Sequence, residues 1–235
     1  MNPTLSLILP CFNEGSIIFD NVRVIKTALD RSGYAYEIIF VDDKSSDTTQ
    51  TNIRRIVKAT PHSHAIFHDS NQGRGGAVMD GIMKARGSIV GFIDIDCEVS
   101  PVYIPEFVDM IVERKADVVI GKRIYRSSFS SFVREIISVG YRWIVSHILE
   151  TQGIDTESGY KFFRKKKILP ILSFTSNRHW FWDTEIVIWA LKKHLKISEY
   201  PVLFLRRADK KSSVRIVHDT IDYLRQIVAF KARSL

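Results

Sequence analysis

The sequence contains little cysteine, proline or glycine, and each shortage excludes a class of protein. Two cysteines, Cys11 and Cys97, are too few for the disulfide framework of a small secreted domain. Each follows an apolar run, so we expect buried free thiols in a reducing compartment. Seven prolines and 12 glycines among 235 residues exclude a low-complexity chain.

Long apolar runs are missing as well. The longest stretch without Asp, Glu, Lys or Arg runs from Met1 to Asn13, contains a proline and ends in polar residues. A helix that spans a membrane needs about 20 mostly apolar residues, and no signal-peptide pattern is visible. We therefore expect no transmembrane segment, so that any contact with a membrane would be peripheral.

The composition supplies a core and a positive charge. Apolar residues make up 45% of the chain and aromatic residues 11%, and neither an internal repeat nor a flexible linker divides it, so we predict one domain over residues 1–235. The net charge of +8 favours anionic partners such as nucleotides, phosphates or anionic lipid. Because the basic residues are spread along the chain rather than clustered with aromatics, we predict no nucleic-acid binding.

Apolar runs and amphipathic segments alternate along the first half of the chain. Strands are predicted near residues 4–9, 36–41, 65–67, 88–93 and 117–121, with helices near 16–32, 47–59, 71–86 and 101–115. This alternation indicates an α/β fold with a Rossmann-like, mostly parallel sheet that helices cover on both faces. Further helices are predicted near 127–150, 184–194 and 214–232, and strands within 153–163 and 197–205.

Four polar loops follow the predicted strands at their carboxyl ends, where the ligands of such sheets bind. These loops are residues 10–14, 42–43, 71–76 and 94–96. Because parallel strands end at the same edge of a sheet, we expect the four loops to meet at one rim. Their convergence predicts a ligand site more strongly than any single loop does.

The loop after the fourth predicted strand carries two carboxylates. Asp94 and Asp96 are two residues apart, so on an extended chain both side chains point to the same side. Mg²⁺ or Mn²⁺ accepts a few carboxylate oxygens and completes its shell with phosphate oxygens and water. The pair is therefore a candidate metal site, and a helix N-cap is the alternative interpretation.

The other loops offer groups that suit a nucleotide. Phe12 could pack on a base or ribose, and Glu14 could accept hydrogen bonds from ribose hydroxyls. Asp42 and Asp43 either read a base edge or a ribose, or form a solvated turn. The three glycines within residues 73–76 permit close backbone approach at a helix N-terminus, which favours phosphate, although no Walker sequence follows.

The sequence resembles the family-2 glycosyltransferases. Four segments occur in the order seen in that family: LPCFNEG, IIFVDDKSSDTT, NQGRGGAVMDGIMKARGSIVGFIDID and TQGIDTESGYKFFRKK. More narrowly, the chain is similar to the dolichyl-phosphate mannose synthase and polyprenyl-phosphate glucosyltransferase group. The resemblance implies a GT-A fold, a nucleoside diphosphate sugar donor (GDP-mannose or UDP-glucose), Mg²⁺ or Mn²⁺, and inversion at the transferred sugar carbon.

The resemblance also implies roles for individual residues. Asp94 and Asp96 would hold the metal, and Glu98, which stands where the family often has glutamine, could join them. Contacts to the acceptor phosphate are implied for Arg134 and Ser138, and Arg142, which continues their spacing of four on the predicted helix, is a further candidate. Donor contacts are implied for Pro10, Phe12, Glu14, Val41, Asp42, Asp43, Arg74, Asp94, Ile95, Asp96, Arg123 and Arg207. The donor half would span about residues 1–125, and the acceptor and membrane-facing half about 126–235.

The chemistry of the acceptor decides whether a general base is needed. A lipid phosphate is already ionised and needs only positioning, whereas a sugar or protein hydroxyl needs a base. Asp183 is the candidate base, with Glu185 close behind, and a helix N-cap is the alternative for Asp183.

The leading hypothesis is metal-dependent transfer of mannose or glucose to a polyprenyl (dolichyl) phosphate. The enzyme would be cytoplasmic and bound peripherally to the cytoplasmic face of a membrane, with a membrane subunit or a second copy of the chain as candidate partners. A family-2 transferase that acts on a hydroxyl is the alternative. A nucleotidyltransferase, which can also use paired aspartates and metal, is a further one.

Overall fold

The computed structural model describes residues 2–125, 149, 151, 153–206, 223 and 225–232. Within them the strands are β1 Leu5–Cys11, β2 Tyr36–Asp42, β3 Ser63–Phe67, β4 Ile89–Ile93, β5 Val118–Tyr125, β6 Tyr160–Arg164 and β7 Ile197–Phe204. The helices are α1 Ile18–Arg31, α2 Thr49–Ala59, α3 Arg74–Lys84, α4 Ile104–Val112, α5 Lys165–Leu172 and α6 Trp182–Lys192. The described strands form one seven-stranded sheet in the order β3-β2-β1-β4-β6-β5-β7.

The sheet is mostly parallel, as the alternation predicts, and one strand departs from that pattern. β6 lies between β4 and β5 and runs antiparallel to both. Gly91 of β4 lies directly opposite Phe162 of β6. A Cβ atom on Gly91 would lie 2.6 Å from the Phe162 ring, so this glycine leaves the space that the inserted strand needs.

Several elements differ from the sequence prediction. The segment predicted as one helix near 101–115 is a 3₁₀ turn, Pro101–Tyr103, followed by α4, and the chain leaves helical geometry at Arg114, whose φ is 59°. β5 continues to Tyr125 because it pairs with β7 along its whole length. The basic run at Lys165 begins α5, which the sequence did not predict.

Two apolar clusters cover the two faces of the sheet. Leu7 and Leu9 of β1 pack on one face with α1 and α4, whereas Ile8 packs on the other face with α3, α5 and α6. The alternation along β1 is that of a strand buried on both sides. Of the two cysteines expected to be buried, both are free, but only Cys11 is buried and Cys97 is half-buried.

Several predictions fall on other parts of the chain. Outside the described residues lie all of the helix predicted near 127–150 except Leu149, about half of that near 214–232, and the site residues Arg134, Ser138, Arg142 and Arg207. Residues 225–232 are helical, as predicted, and Ile227 and Phe230 pack with Phe181. Among the described residues, no helix has the length and apolar character needed to cross a membrane.

Candidate active site

The loops after β1 and β2 meet at the carboxyl edge of the sheet, as the sequence predicts. Pro10 and Val41 are paired neighbours on these two strands, and Val41 is fully buried. The backbone N–H of Asn13 donates to Ser45 Oγ over 2.9 Å, and the Ser46 N–H donates to Asn13 Oδ1 over 2.8 Å. Hydrogen bonds therefore join the loops after β1 and β2 into one continuous surface, called the wall below.

The wall continues toward α1 and α2 and presents an aromatic ring. Asp47 Oδ2 accepts the Gly15 N–H over 2.9 Å, and Asp47 Oδ1 accepts the Thr49 N–H at the start of α2 over 2.9 Å. Thr49 Oγ1 in turn accepts the Glu14 N–H over 2.8 Å. Phe12 is 51% exposed on this rim, as a ring that packs on a ligand needs to be.

Asp42 and Asp43 are both buried, so the solvated turn that was one interpretation of them is wrong. Asp43 Oδ1 accepts the Gln72 N–H over 2.6 Å and lies 2.8 Å from His68 Nδ1, while Asp43 Oδ2 accepts the Gly73 N–H over 2.8 Å. Both oxygens of Asp43 are thus engaged in holding the turn before α3.

The two side-chain oxygens of Asp42 differ in their hydrogen bonding. Its Oδ2 accepts the Ser45 N–H over 3.1 Å and the Gln50 side-chain amide over 2.8 Å. Its Oδ1 is buried and has no hydrogen-bond partner among the described residues. Of the two adjacent carboxylates, Asp42 is therefore the one with an oxygen left for a donor group on a ligand.

The space beside the glycines at the start of α3 is filled by other residues of the protein. The interpretation drawn from the sequence, that these glycines allow a phosphate to approach, is therefore wrong. A Cβ atom on Gly75 would lie 2.4 Å from Trp182 Cβ, and one on Gly73, whose φ is 83°, would lie 2.4 Å from His179 Nδ1. The N–H of Gly76 donates to the Arg178 carbonyl over 2.8 Å. The loop before α6 occupies the close approach that these glycines allow.

Asp94 and Asp96 flank a buried residue just after β4. Ile95 is 2% exposed, and its carbonyl accepts a hydrogen bond from the Asn21 side chain over 2.8 Å. The two aspartates are half-buried and the Asp94 side chain is 43% exposed. Asp96 Oδ1 accepts the Glu98 N–H over 3.2 Å. The alternation places both carboxylates toward the rim, and it turns the Ile95 side chain, predicted to contact the donor, into the core.

Four charged side chains, each in contact with the next, extend from Asp94 into the interior of the protein. Asp94 Oδ1 accepts hydrogen bonds from Arg74 Nε over 2.9 Å and Arg74 Nη2 over 2.6 Å. Arg74 Nη1 also contacts Asp183 Oδ2, and Lys161 Nζ lies 2.9 Å from Asp183 Oδ1. Lys161 is fully buried and Asp183 is 2% exposed. This chain, Asp94–Arg74–Asp183–Lys161, is called the charge chain below.

The charge chain perturbs the ionisation of its cations. Burial acts to lower the pKa of Arg74, but Asp183 and Asp94 more than offset it, so the pKa is raised above its usual value. Burial lowers the pKa of Lys161, and the neighbouring Asp183 counteracts only part of that effect. Two positive and two negative charges compensate one another across the interior.

Asp183 and Glu185, the candidate bases, are both buried in the first turn of α6. Each oxygen of Asp183 contacts a cationic side chain. Glu185 Oε2 accepts the N–H groups of Ser176 and Asn177 over 3.0 and 2.8 Å. Both carboxylates thus have partners of their own inside the protein.

Arg123, predicted to contact phosphate, forms a bidentate ion pair with Asp155 that the sequence did not predict. Its Nε and Nη2 donate to the two oxygens of Asp155 over 2.8 and 2.7 Å. Burial alone would lower the pKa of Arg123, but Asp155 raises it, and Arg123 in turn lowers the pKa of Asp155 although burial acts to raise it. The signal was present, since Asp155 lies in the segment TQGIDTESGYK on which the resemblance partly rests.

The residues after β4 fit a divalent cation that takes most of its ligands from elsewhere. Asp94 Oδ2 has no hydrogen bond to another described residue. It lies 1.9 Å from the position that a Cβ atom on Gly159 would occupy. The described residues contain no group of three or more His, Cys, Asp or Glu side chains able to hold a metal. One or two carboxylates with substrate phosphates is the usual arrangement for Mg²⁺.

Comparison with known proteins agrees with this geometry. The chain is 26% identical to glycosyltransferase AglD of Haloferax volcanii over 95% of its own length, and covers 36% of that protein. It is 27% identical to the dolichyl-phosphate beta-glucosyltransferase of Saccharomyces cerevisiae over 98% of its own length, and covers 75% of that protein. A dolichyl-phosphate beta-glucosyltransferase of Trichomonas vaginalis is 26% identical over 84% of the chain, which covers 64% of that relative.

Solved structures share the fold at lower identity. Glucosyl-3-phosphoglycerate synthase from Mycobacterium tuberculosis, crystallised with Mn²⁺, UDP and glucosyl-3-phosphoglycerate, aligns with a TM-score of 0.69 at 20% identity, covering 97% of this chain and 78% of that one. TarS from Staphylococcus aureus with UDP-GlcNAc aligns with a TM-score of 0.62 at 18% identity, covering 97% and 66%. These likenesses establish the GT-A fold. The family profile described as glycosyl transferase family 2 matches residues 6–181, and the chain belongs to that family.

Proposed function

We propose that the chain transfers glucose from UDP-glucose to a polyprenyl phosphate, with Mg²⁺ or Mn²⁺ as cofactor and inversion at the sugar carbon. The observation that carries the proposal is the position of Asp94 and Asp96. They flank buried Ile95 at the rim where the β1 and β2 loops converge. The names of two relatives that match 98% and 84% of the chain favour glucose over mannose and dolichyl phosphate as the acceptor class.

The donor would lie along the wall made by the β1 and β2 loops. Phe12 would pack on the base, and the spare oxygen of Asp42 would accept a base or ribose hydrogen bond. Asp94 and Asp96 would hold the cation, which supplies positive charge against the departing diphosphate. Arg123 and Arg207 are the predicted phosphate-contacting arginines, and they would add charge-assisted hydrogen bonds.

The acceptor side rests on what Asp183 does. Its two oxygens already contact Arg74 and Lys161, and the side chain is buried, so it suits the role of counter-ion better than that of a base. A phosphate acceptor needs no base, only groups that orient it. Arg134, Ser138 and Arg142 remain the predicted orienting groups. An acceptor anchored in a membrane implies that the enzyme works at the membrane surface, and we propose the cytoplasmic face.

The test is a transfer assay with each donor. The protein is incubated with Mn²⁺, a short polyprenyl phosphate and either UDP-glucose or GDP-mannose, and the products are identified by mass spectrometry. We expect glucosyl-phospholipid from UDP-glucose alone, and loss of the product in Asp96→Asn. Asp20→Asn, the same change at an exposed carboxylate of α1, is the matched control and should keep full activity.

Other outcomes lead elsewhere. Release of UDP without a lipid product would contradict the lipid acceptor and favour a hydroxyl acceptor. A mannosyl product would contradict the assignment of the donor. A product that retains the nucleotide phosphate would indicate a nucleotidyltransferase.

A further inference from the structure

Lys161 is a buried charge to which the proposed function assigns no role. It is fully buried, it belongs to β6, and its nearest carboxylate is Asp183, a residue of α6. A charge inside a protein is costly unless it is fully compensated, and apolar side chains often replace such pairs without loss of stability. Stability alone therefore gives little reason for a lysine at this position.

The sheet register links Lys161 to the candidate metal site. Phe92 of β4 lies opposite Lys161 of β6, and the pairing runs antiparallel. Two residues from this pair, each one position beyond the end of its strand, are Asp94 and Gly159. The Cβ position of Gly159 is 1.9 Å from Asp94 Oδ2. The segment that supplies Lys161 thus also borders Asp94 Oδ2.

The charge chain also connects Lys161 to Asp94, through Asp183 and Arg74. Arg74 is shared between Asp94 and Asp183, and Lys161 supplies the other half of the compensation of Asp183. The Arg74 guanidinium lies 5.3 Å and Lys161 Nζ 5.5 Å from the centre of the fully buried Phe92 ring, so both cations lie against the same aromatic side chain.

We propose that Lys161 is a positioning residue for the cation site: by neutralising Asp183 it leaves Arg74 free to hold Asp94 Oδ1, so that Asp94 Oδ2 is left for the cation. This inference rests on the proposed metal dependence. Without Lys161, Asp183 would draw the Arg74 guanidinium toward itself and away from Asp94. Asp94 would then lose the contact that sets its orientation, as happens when the partner of a metal ligand is removed.

The test compares Lys161→Met with Glu37→Gln. Glu37 is a second buried charge, 1% exposed, which accepts hydrogen bonds from Ser6 and Arg86 at the opposite edge of the sheet. The quantity measured is the Kd for Mn²⁺ in the presence of saturating UDP, from the electron paramagnetic resonance signal of free Mn²⁺. We expect Lys161→Met to weaken Mn²⁺ binding about 10- to 100-fold, Lys161→Arg to restore it, and Glu37→Gln to leave it unchanged.

Equal Mn²⁺ affinity in Lys161→Met and the wild type would overturn the inference, as would the same loss in Glu37→Gln. Lys161→Met combined with Asp183→Asn should bind Mn²⁺ as the wild type does, because a neutral side chain at position 183 no longer competes with Asp94 for Arg74. If Lys161→Met does not fold, Lys161→Gln, which keeps a polar group at this position without its charge, is measured instead, and the same loss of affinity is expected. A wild-type protein that binds Mn²⁺ with UDP but transfers no glucose would remove the proposed function and leave this inference standing. A wild-type protein that binds no Mn²⁺ would contradict both.

Discussion

Gly159 is the residue whose replacement acts most directly on Asp94. We expect Gly159→Ala to lower turnover about 100-fold, because the new methyl group must displace the Asp94 carboxylate by about 1 Å or more. The melting temperature should change little, since the atom displaced is the end of a half-exposed side chain. Steady-state kinetics and thermal unfolding check the two parts, and unchanged turnover would show that Asp94 does not need this position.

Asp42 and Asp43 offer a second comparison at the scale of single residues. Asp43→Asn places an NH₂ group against donors that now meet a carboxylate, so we expect a loss of about 1–3 kcal/mol in the free energy of unfolding. Asp42→Asn can turn its amide nitrogen toward the unpaired Oδ1 position, so the loss should be less than about 1 kcal/mol. Urea unfolding of both variants decides between them, and equal losses would contradict the different roles assigned to the two carboxylates.

At the scale of elements, the contact between α3 and the loop before α6 depends on one of two adjacent glycines. We expect Gly75→Ala to destabilise the protein by about 1–3 kcal/mol, because its Cβ would lie 2.4 Å from Cβ and 2.7 Å from Cγ of the buried Trp182 side chain. Gly76→Ala is the matched control. Its Cβ would lie 3.0 Å from Gln72 Cβ, and the strain is offset by alanine's helix propensity of up to about 1 kcal/mol. Chemical denaturation should therefore separate the two variants, and similar values would contradict this packing.

The elements also show which features the sequence can reveal. Local periodicity predicts β1 to β4 and their helices because each strand there is followed by a helix that returns the chain to the same edge. β6 pairs antiparallel with β4 through residues far apart in sequence, such as Gly91 and Phe162, so no local pattern encodes its direction. The same limit applies to the site. Asp94 and Asp96 are recognisable by spacing, whereas the pairing of Arg123 with Asp155 and of Lys161 with Asp183 exists only after folding.

At the scale of the whole molecule, Glu37 predicts how stability depends on pH. Burial acts to raise the pKa of Glu37, but hydrogen bonds from Ser6 and Arg86 outweigh it and lower the pKa. Its stabilisation is therefore fully present above the unfolded pKa of about 4.3 and is lost as the pH falls through the lower, folded value. We expect the free energy of unfolding of Glu37→Gln to lie below that of the wild type at pH 7 and to approach it in acid. A constant difference across that range would contradict this.

The place of β6 in the sheet has a consequence for the order in which the chain folds during synthesis. Within the described sheet, β5 pairs only with β6 and β7, and both follow it in the sequence. When Tyr125 has left the ribosome, β1 to β4 already have one another as partners, whereas β5 has none. Both edges of β5 therefore stay unpaired until residues 160–204, which contain β6 and β7, have been synthesised. For that interval the growing chain is most exposed to aggregation and most in need of a chaperone.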